Sequence, residues 1–159
     1  MLTPSERPAD GIEAVVNNYA NMLFRICLVT LGNEADAEDA MQDVFIKYMQ
    51  KAPVFENSVH EKAWLIRVSV NKCRDMLRSK RAYIDLESIQ EYAQDTESVH
   101  MLEALMALPD KFRTVLTLYY VEEYKVKEIA EMIGKTESAV KMRLKKGRML
   151  LEEEYKKEI

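Results

Sequence analysis

The sequence predicts an all-α protein built from two small helical domains. Only four Gly and four Pro occur among its 159 residues, and no convincing run of alternating apolar residues appears. Apolar residues instead recur every three or four positions, the spacing of helices that bury one face. An acidic, weakly periodic stretch at 82–97 separates two such regions. We therefore expect domains at 10–81 and 98–159, joined by this linker.

Helix boundaries follow from residues that break or cap helices. Gly32 and Asn33 separate the first two helices, Pro53 ends the second, and Pro109 marks a boundary in the C-terminal half. We predict helices at 12–31, 35–51, 61–80, 98–107, 110–121, 126–133 and 137–155.

Charge is distributed in blocks, although the net charge is only −4. Residues 61–82 hold 7 basic and 2 acidic side chains, and residues 111–159 hold 12 basic and 9 acidic ones. The intervening stretch, 83–110, has 7 acidic residues and no basic one. Two basic segments on separate domains indicate two nucleic-acid contacts.

Residues 126–151 have the pattern of a helix-turn-helix DNA-binding motif. The first helix has a buried face at Val126, Ile129, Ala130 and Ile133. Gly134 suits the left-handed end of a helix, and Thr136 can cap the next one. That second helix places Val140, Leu144, Gly147 and Leu151 on one side and Ser138, Lys141, Lys145 and Arg148 on the other. An ordinary helical hairpin with a solvated charged face is the alternative.

The helix predicted at 35–51 carries an acidic stripe formed by Asp36, Asp39 and Asp43. The opposite, apolar face holds Ala37, Met41, Val44, Phe45 and Tyr48. Charge alone favours the interpretation that this acidic face is simply solvated. Two other interpretations are that it binds a basic protein partner or that it binds a metal ion. No His joins the stripe, which argues against the metal ion.

The segment from Trp64 to Arg78 is sharply amphipathic. Its apolar face comprises Leu65, Ile66, Ser69, Val70, Cys73, Met76 and Leu77, and its polar face Arg67, Asn71, Lys72, Arg74, Asp75 and Arg78. Such a polar face can neutralise phosphates and hydrogen-bond to base edges. Trp64, on the polar side, either packs on the first helix, which we favour, or wedges against bases. In the preceding loop, Pro53 to Lys62, Phe55 could hold an unstacked base.

The remaining chemistry-bearing residues are isolated. Cys27 and Cys73 stand alone, so we expect reduced, packed thiols rather than a disulfide or a zinc site. His60 and His100 are also isolated, and no nucleophile–base pair or phosphate loop appears. We therefore expect no enzyme activity, no metal and no cofactor.

We find no apolar run long enough to span a membrane and no signal peptide, so we expect a cytoplasmic protein without membrane insertion.

Three runs of residues resemble the sigma factors of bacterial RNA polymerase. The run Asp36 to Phe45, DAEDAMQDVF, is similar to one in their N-terminal domain, as is Ala63 to Asn71, AWLIRVSVN, followed by Asp75 and Leu77. The run Ala107-Leu108-Pro109 and the helix-turn-helix resemble their C-terminal domain. The resemblance covers nearly the whole chain, and its two-domain layout is that of the extracytoplasmic-function (ECF) group.

The resemblance implies a role for each polar face. Asp36, Asp39, Gln42, Asp43 and Phe45 would meet the clamp helices of the largest catalytic subunit of RNA polymerase core. Residues at the minus-ten promoter element, where the duplex opens, would be Phe55, Arg67, Asn71, Arg74, Asp75 and Arg78. Residues at the minus-thirty-five element would be Ser138, Lys141, Met142, Arg143, Lys145, Lys146 and Arg148. An anti-sigma factor would restrain the protein until a stress or another signal arrives, and transcription of the responsive genes would then begin.

The chain departs from the family pattern at the upstream element. Lys141 stands where Arg is frequent, and lysine is a poorer bidentate reader of guanine. Met142 stands where Ser is common and would favour a thymine methyl; Gly147 stands where Ala is common. Two alternatives to a sigma factor are a regulator that binds an operator without polymerase, and a helical adaptor whose basic faces bind acidic proteins.

Overall fold

The computed structural model describes residues 9–79 and 83–158, and every regular element in that part of the chain is helical. The predicted all-α class is therefore confirmed. The helices are α1 Ala9–Leu31, α2 Glu34–Lys51, α3 Ser58–Ser79, α4 Leu86–Gln90, α5 Thr96–Met106, α6 Asp110–Leu116, α7 Val126–Ile133 and α8 Glu137–Glu158. A single π-helical turn, Thr117–Val121, continues α6.

The predicted helices are all present, but several of their ends differ; α1, for example, begins at Ala9 rather than at residue 12. α3 begins at Ser58 because the side chain of Asn57 accepts a hydrogen bond from the backbone N–H of His60, at 2.9 Å. The predicted loop up to Lys62 is therefore too long. The helix predicted at 110–121 changes to π geometry at Thr117, and α8 continues to Glu158. The predicted end of the third helix, residue 80, lies outside the described residues.

α1 is the central element, since it packs against α2, α3 and α6. From Gly11 to Leu31 it is long and apolar enough, by length and composition alone, to cross a membrane. Our expectation that no such run exists was wrong. In the fold these apolar residues form the core: Leu23, Ile26, Cys27, Leu28 and Leu31 are all buried, which gives the helix its hydropathy.

The turn between α1 and α2 forms as the sequence predicts. Gly32 has φ +84°, and a side chain there would come within 2.9 Å of Ile84 Cγ1. Asn33 is almost fully buried and caps α2 by accepting a hydrogen bond from the backbone N–H of Asp36, at 2.8 Å. This turn also receives the segment after α3: the N–H of Asp85 donates to the carbonyl of Gly32 at 2.8 Å.

The predicted linker contains a helix that periodicity did not reveal. Asp85 caps α4 through the N–H of Ser88, and Ile89 is buried among residues of α1, α2, α3 and α5. Tyr92 packs its ring 5.6 Å from that of Phe24. Because α4 has only five residues, the one buried side chain per turn gives too weak a pattern to predict.

The C-terminal helices surround α8, which packs against α5, α6 and α7. One hydrophobic cluster runs from α1, α2 and α3 through α6, α7 and α8; for example, Ile26 and Leu65 belong to it together with Phe112, Ile129 and Leu144. The boundaries proposed for two domains, 10–81 and 98–159, stay a prediction.

Arg113 is a buried arginine that joins α6 to the end of α1. Its guanidinium donates to the carbonyls of Val29 and Thr30, each at 2.7 Å, and to that of Leu108. The last carbonyls of a helix have no partner within it, and a cation there also opposes the helix dipole. Burial lowers the pKa of Arg113, and nearby Asp110 acts in the opposite direction. The hydroxyls of Thr30 and Thr114 lie 2.9 Å apart beside it.

Cys27 and Cys73 are packed thiols without a disulfide, as predicted, but the fold makes these two residues, isolated in the sequence, neighbours. Both are free and fully buried, on α1 and α3, and a hydrogen bond between their side chains, together with burial, raises the pKa of Cys73 well above its usual value. The sequence separates them by 46 positions, and only the packing of α1 on α3 brings them together. Thiols that are buried and protonated are unreactive.

Replacing Arg113 with Met should lower the free energy of unfolding by roughly 3 kcal/mol, because three buried carbonyls lose a charged donor. Urea unfolding followed by circular dichroism measures it. Arg78→Met, the same change at an exposed arginine, is the control and should cost less than about 0.5 kcal/mol. Equal midpoints for the two variants would show that Arg113 does not hold the helices together.

Alkylation of the folded protein by iodoacetamide should be at least roughly a hundredfold slower than alkylation in denaturant. Both thiols are buried, so they can react only after the protein unfolds locally or globally. Mass spectrometry should find two adducts after unfolding, one for each Cys. An Asn18→Cys variant, at an exposed position of α1, should gain one adduct promptly while folded. Rapid modification of the unaltered protein would contradict the buried position of the pair.

Candidate nucleic-acid and partner interfaces

The helix-turn-helix has the local geometry that its sequence predicts. Gly134 ends α7 with φ 68° and ψ 38°, in the left-handed region. The hydroxyl of Thr136 accepts a hydrogen bond from the N–H of Ala139 at 3.1 Å and so caps α8. Val140, Leu144 and Gly147 are buried. Gly147 lies against Leu116, to whose side chain an added Cβ would approach within 3.3 Å.

The opposite side of α8 is a basic, solvent-exposed face. Its exposed members are Ser138, Lys141, Met142, Lys145, Lys146 and Arg148. Met142 is 72 % exposed, which is unusual for a large apolar side chain. Arg148 donates to the hydroxyl of Tyr120 at 3.1 Å, so the π-helical turn holds it in place. Arg143 is only half-buried and lines a cleft against α3.

On α3, the predicted minus-ten residues divide into two groups. Arg67, Asn71, Asp75 and Arg78 are exposed. Arg74 is half-buried, and its guanidinium donates to the carbonyl of Ile133 at 2.9 Å, at the end of α7. The structure thus places one predicted DNA-binding residue in a contact with the helix-turn-helix, which no local sequence pattern could indicate.

Phe55 and Trp64 belong to one aromatic cluster. The Phe55 ring lies 6.0 Å from Tyr48, 5.8 Å from Trp64 and 5.3 Å from His60. Trp64 is half-buried and also meets the edge of Tyr48, at 6.0 Å. The prediction that Trp64 packs is therefore confirmed, but its ring partners lie on α2 and in the loop after it rather than on the first helix.

The acidic stripe of α2 is partly occupied by contacts within the chain. Asp36 accepts a hydrogen bond from Asn33 at 2.9 Å, and Asp43 forms an ion pair with Lys72 at 2.7 Å. Asp39 and Gln42 are exposed, and Phe45 packs at the edge of the core.

Two apolar residues of the same surface were missed in the sequence. Ile46 and Met49 of α2 are 50 % and 49 % exposed. They follow Gln42 at intervals of four and three residues, so they continue its exposed side of the helix. The sequence alone could have revealed them, because these large apolar side chains occupy positions that the helical period assigns to the solvent-exposed side of the helix.

Two clefts lie where α3 packs near α7, and Arg74 and Ile133 line the smaller one. The larger, of about 700 Å³, has Lys62, Trp64 and Arg67 on the α3 side and Glu128 and Glu131 on the α7 side. The smaller, of about 250 Å³, is lined by cations of α3, α6, α8 and the turn between α7 and α8: Arg74, Arg78, Lys111, Lys135 and Arg143. Among the described residues, no group of three or more His, Cys, Asp or Glu side chains is placed to hold a metal ion.

An ion pair joins α1 to the residue that follows the π-helical turn. Arg25 of α1 contacts Glu122 through two hydrogen bonds, of 3.0 and 3.3 Å. The Glu122 side chain is 7 % exposed, whereas Arg25 is 51 % exposed. Tyr124 lies nearby, with its hydroxyl 3.9 Å from the sulfur of Met22 and Lys62 over its ring at 5.5 Å. Burial raises the pKa of Tyr124.

Comparison with known proteins assigns both halves of the chain. Residues 15–83 match Sigma-70 region 2, and residues 99–151 match Sigma-70 region 4. The ECF sigma factor SigW of Bacillus subtilis is 29 % identical over 168 residues, covering 92 % of this chain and 90 % of SigW. SigM of Mycobacterium tuberculosis is also 29 % identical, covering 89 % of this chain and 75 % of SigM.

A solved structure shares the fold. CnrH, in complex with the cytosolic domain of CnrY, superposes with a TM-score of 0.71 at 21 % identity, covering 94 % of this chain and 90 % of CnrH. The two matched regions lie in the order and the helical elements described above. The chain belongs to the ECF group of the sigma-70 family of RNA polymerase sigma factors.

Proposed function

We propose that this sigma factor binds RNA polymerase core through α2 and reads promoter DNA through α3 and α8. The observation that carries the proposal is the separation of three exposed surfaces on one small fold. One is acidic and apolar, and the other two are basic. The sigma factor performs no bond chemistry in this scheme, because RNA synthesis belongs to the polymerase.

The surface proposed for core polymerase comprises Asp36, Asp39, Gln42, Asp43 and Phe45, extended by Ile46 and Met49. Exposed apolar side chains bordered by charged ones are typical of protein interfaces, in which the apolar centre supplies affinity and the charges supply orientation. Asp39 is the acidic residue of the stripe that is exposed and has no hydrogen bond or ion pair among the described residues. It is therefore the best-placed carboxylate for a basic partner.

The surface proposed for the minus-ten element comprises Phe55, Arg67, Asn71, Arg74, Asp75 and Arg78. Opening the duplex there costs a few kcal/mol for each base unstacked. Arginines along α3 can offset this cost by holding the phosphates of the opened strand, and asparagine and aspartate can hydrogen-bond to base edges. The aromatic cluster of Phe55 and Trp64 lies beside this face and can receive an unstacked base.

The surface proposed for the minus-thirty-five element is the exposed side of α8, namely Ser138, Lys141, Met142, Arg143, Lys145, Lys146 and Arg148. The N-terminal part of a recognition helix contacts base edges, and its later residues contact phosphates. By position, Ser138, Lys141 and Met142 are the readers, whereas Lys145 and Arg148 hold the backbone.

We further propose that an anti-sigma factor restrains this chain in the cytoplasm and that a stress or another signal releases it. The complex of CnrH with the cytosolic domain of CnrY supports a protein partner for this fold. The exposed apolar residues Ile46 and Met49 make α2 a surface that an inhibitor and the polymerase would both use.

Co-elution with bacterial core RNA polymerase tests the proposal directly. The purified protein should elute with core and direct transcription from a subset of a promoter-fragment library. A protein that shifts DNA alone and never associates with core would instead be an operator-binding regulator.

Asp39→Arg should weaken binding to core polymerase roughly tenfold or more, because it places a cation where an acidic contact is proposed. Titration of labelled protein with core measures the affinity. Glu13→Arg, an equal change of charge at an exposed position of α1, is the control and should bind like the unaltered protein. If both variants bind equally well, the acidic stripe is not the polymerase surface.

Lys141→Ala should reduce the preference for promoters that contain the upstream element by about 1–3 kcal/mol while sparing core binding. The measurement compares transcription from promoters with and without that element. Lys127→Ala, at an exposed lysine of α7, is the matched control. Should the unaltered protein ignore the upstream element, the role assigned to α8 is wrong.

A further inference from the structure

We propose that the smaller cleft is a binding site for a compact diphosphate group, either free pyrophosphate or the diphosphate of a nucleotide. The cleft is lined by residues of α1, α3, α6, α7 and α8 and of the turn between the last two. Its charge, the anchoring of one arginine, its buried hydroxyls and its size support this assignment. The site goes beyond the proposed role in transcription and does not depend on it.

Positive charge is gathered in the cleft without neutralisation from within the chain. Five cations line it, and Asp110 is the acidic residue that lines it. The cations are Arg74, Arg78, Lys111, Lys135 and Arg143. Within the part of the chain that the structure describes, none of them forms an ion pair. Like charges around one cavity repel each other, and an anion that enters the cavity relieves this repulsion. The cleft therefore favours an occupant with more than one negative charge.

Arg74 is held in position before any ligand binds. Its Nη2 atom donates to the carbonyl of Ile133 at 2.9 Å, which fixes the plane of the guanidinium and leaves its other N–H groups for a ligand. A donor that is already ordered loses less entropy on binding. Arg143 is half-buried like Arg74, so salt screens these two groups less than it screens exposed cations. Guanidinium groups bind phosphate oxygens through paired hydrogen bonds, which makes phosphate a suitable anion.

Two buried hydroxyl groups line the inner part of the cleft. Thr30 and Thr114 are almost fully buried, and their side-chain oxygens lie 2.9 Å apart. The buried guanidinium of Arg113 donates to the backbone carbonyl of Thr30 at 2.7 Å, so a further cation adds to the positive potential here. Hydroxyl protons rotate to suit the available acceptor. This end of the cleft can therefore donate to a phosphate oxygen.

The size of the cleft selects a compact ligand. Its volume is about 250 Å³, below the roughly 300–1,000 Å³ of sites that enclose drug-sized molecules. A diphosphate group suits this space, whereas the sugar and base of a nucleotide would lie at its mouth. The cations come from α3, α6, α8 and the turn after α7. Tetrahedral phosphoryl groups direct oxygens toward several elements at once, whereas a carboxylate confines its oxygens to one plane.

Promoter DNA is the competing occupant, because Arg74, Arg78 and Arg143 are also proposed to contact it. A phosphodiester in a duplex continues on both sides, so it cannot reach the buried hydroxyls of so small a cleft, whereas a terminal phosphoryl group can. Lys111 and Lys135 separate the two occupants experimentally. Both line the cleft and are exposed, and neither belongs to the surfaces proposed for promoter DNA.

Isothermal titration calorimetry of the free chain with inorganic pyrophosphate tests the site. Citrate, a polyanion of similar charge without phosphoryl groups, is titrated at the same ionic strength. The test variant combines Lys111→Gln with Lys135→Gln. The matched control combines Lys125→Gln with Lys127→Gln, the same change of charge at exposed lysines that do not line the cleft. Circular dichroism checks that both variants are folded.

We expect one pyrophosphate to bind per chain, at least roughly tenfold more tightly than citrate. The test variant should bind pyrophosphate roughly five- to tenfold more weakly than the unaltered chain. The control should bind it like the unaltered chain. The absence of saturable binding, equal affinities for citrate and pyrophosphate, or an equal loss in the two variants would overturn the site.

Titration with adenosine and guanosine diphosphates separates the two sources of the ligand. An affinity above that of pyrophosphate identifies a nucleotide, and a lower one identifies the free diphosphate. A random-sequence DNA duplex whose binding depends on Lys111 and Lys135, and which pyrophosphate does not displace, would overturn the proposal in favour of DNA. Failure to bind core polymerase would refute the proposed function and leave all these titrations unaffected.

Discussion

The rest of the structure depends on how the carbonyl end of α1 is satisfied. α1 is the most apolar helix and lies at the centre, and its last carbonyls would be unpaired in the interior without Arg113 of α6. A charged donor to buried carbonyls contributes more than a neutral one, and its loss leaves the acceptors desolvated. This one side chain therefore connects the helices of region 2 to those of region 4.

The sequence predicted what depends on local patterns. The caps at Asn33 and Thr136, the left-handed Gly134 and the buried face of α8 all follow from neighbouring residues, and each is present. What depends on packing between distant helices was not predictable. The meeting of Cys27 with Cys73 and the bond from Arg74 to Ile133 join positions far apart in the chain. The helix α4 was missed because one buried residue, Ile89, gives no period.

In the candidate surfaces, too, local sequence patterns predict some features, whereas packing between distant helices determines others. Helical spacing predicts which face of α2, α3 and α8 is polar, and the exposed residues agree with it. Spacing cannot tell whether a polar side chain meets solvent or another helix. That distinction separates Arg74, which is bonded to the end of α7, from the exposed Lys141 and Lys145. Ile46 and Met49 were missed for another reason. The helical period does predict that they are exposed, but the sequence analysis considered only their charged neighbours.

The most direct test is whether core polymerase covers the exposed side of α2. A benzophenone amino acid in place of Met49, which is 49 % exposed, would form a covalent cross-link on irradiation to whatever protein lies against it. In the complex with core polymerase, we expect a cross-link to the largest catalytic subunit, and none from the same amino acid in place of Glu13, an exposed residue of α1. A complex that co-elutes but gives no cross-link from Met49, or one equally strong from Glu13, would contradict the proposed polymerase surface.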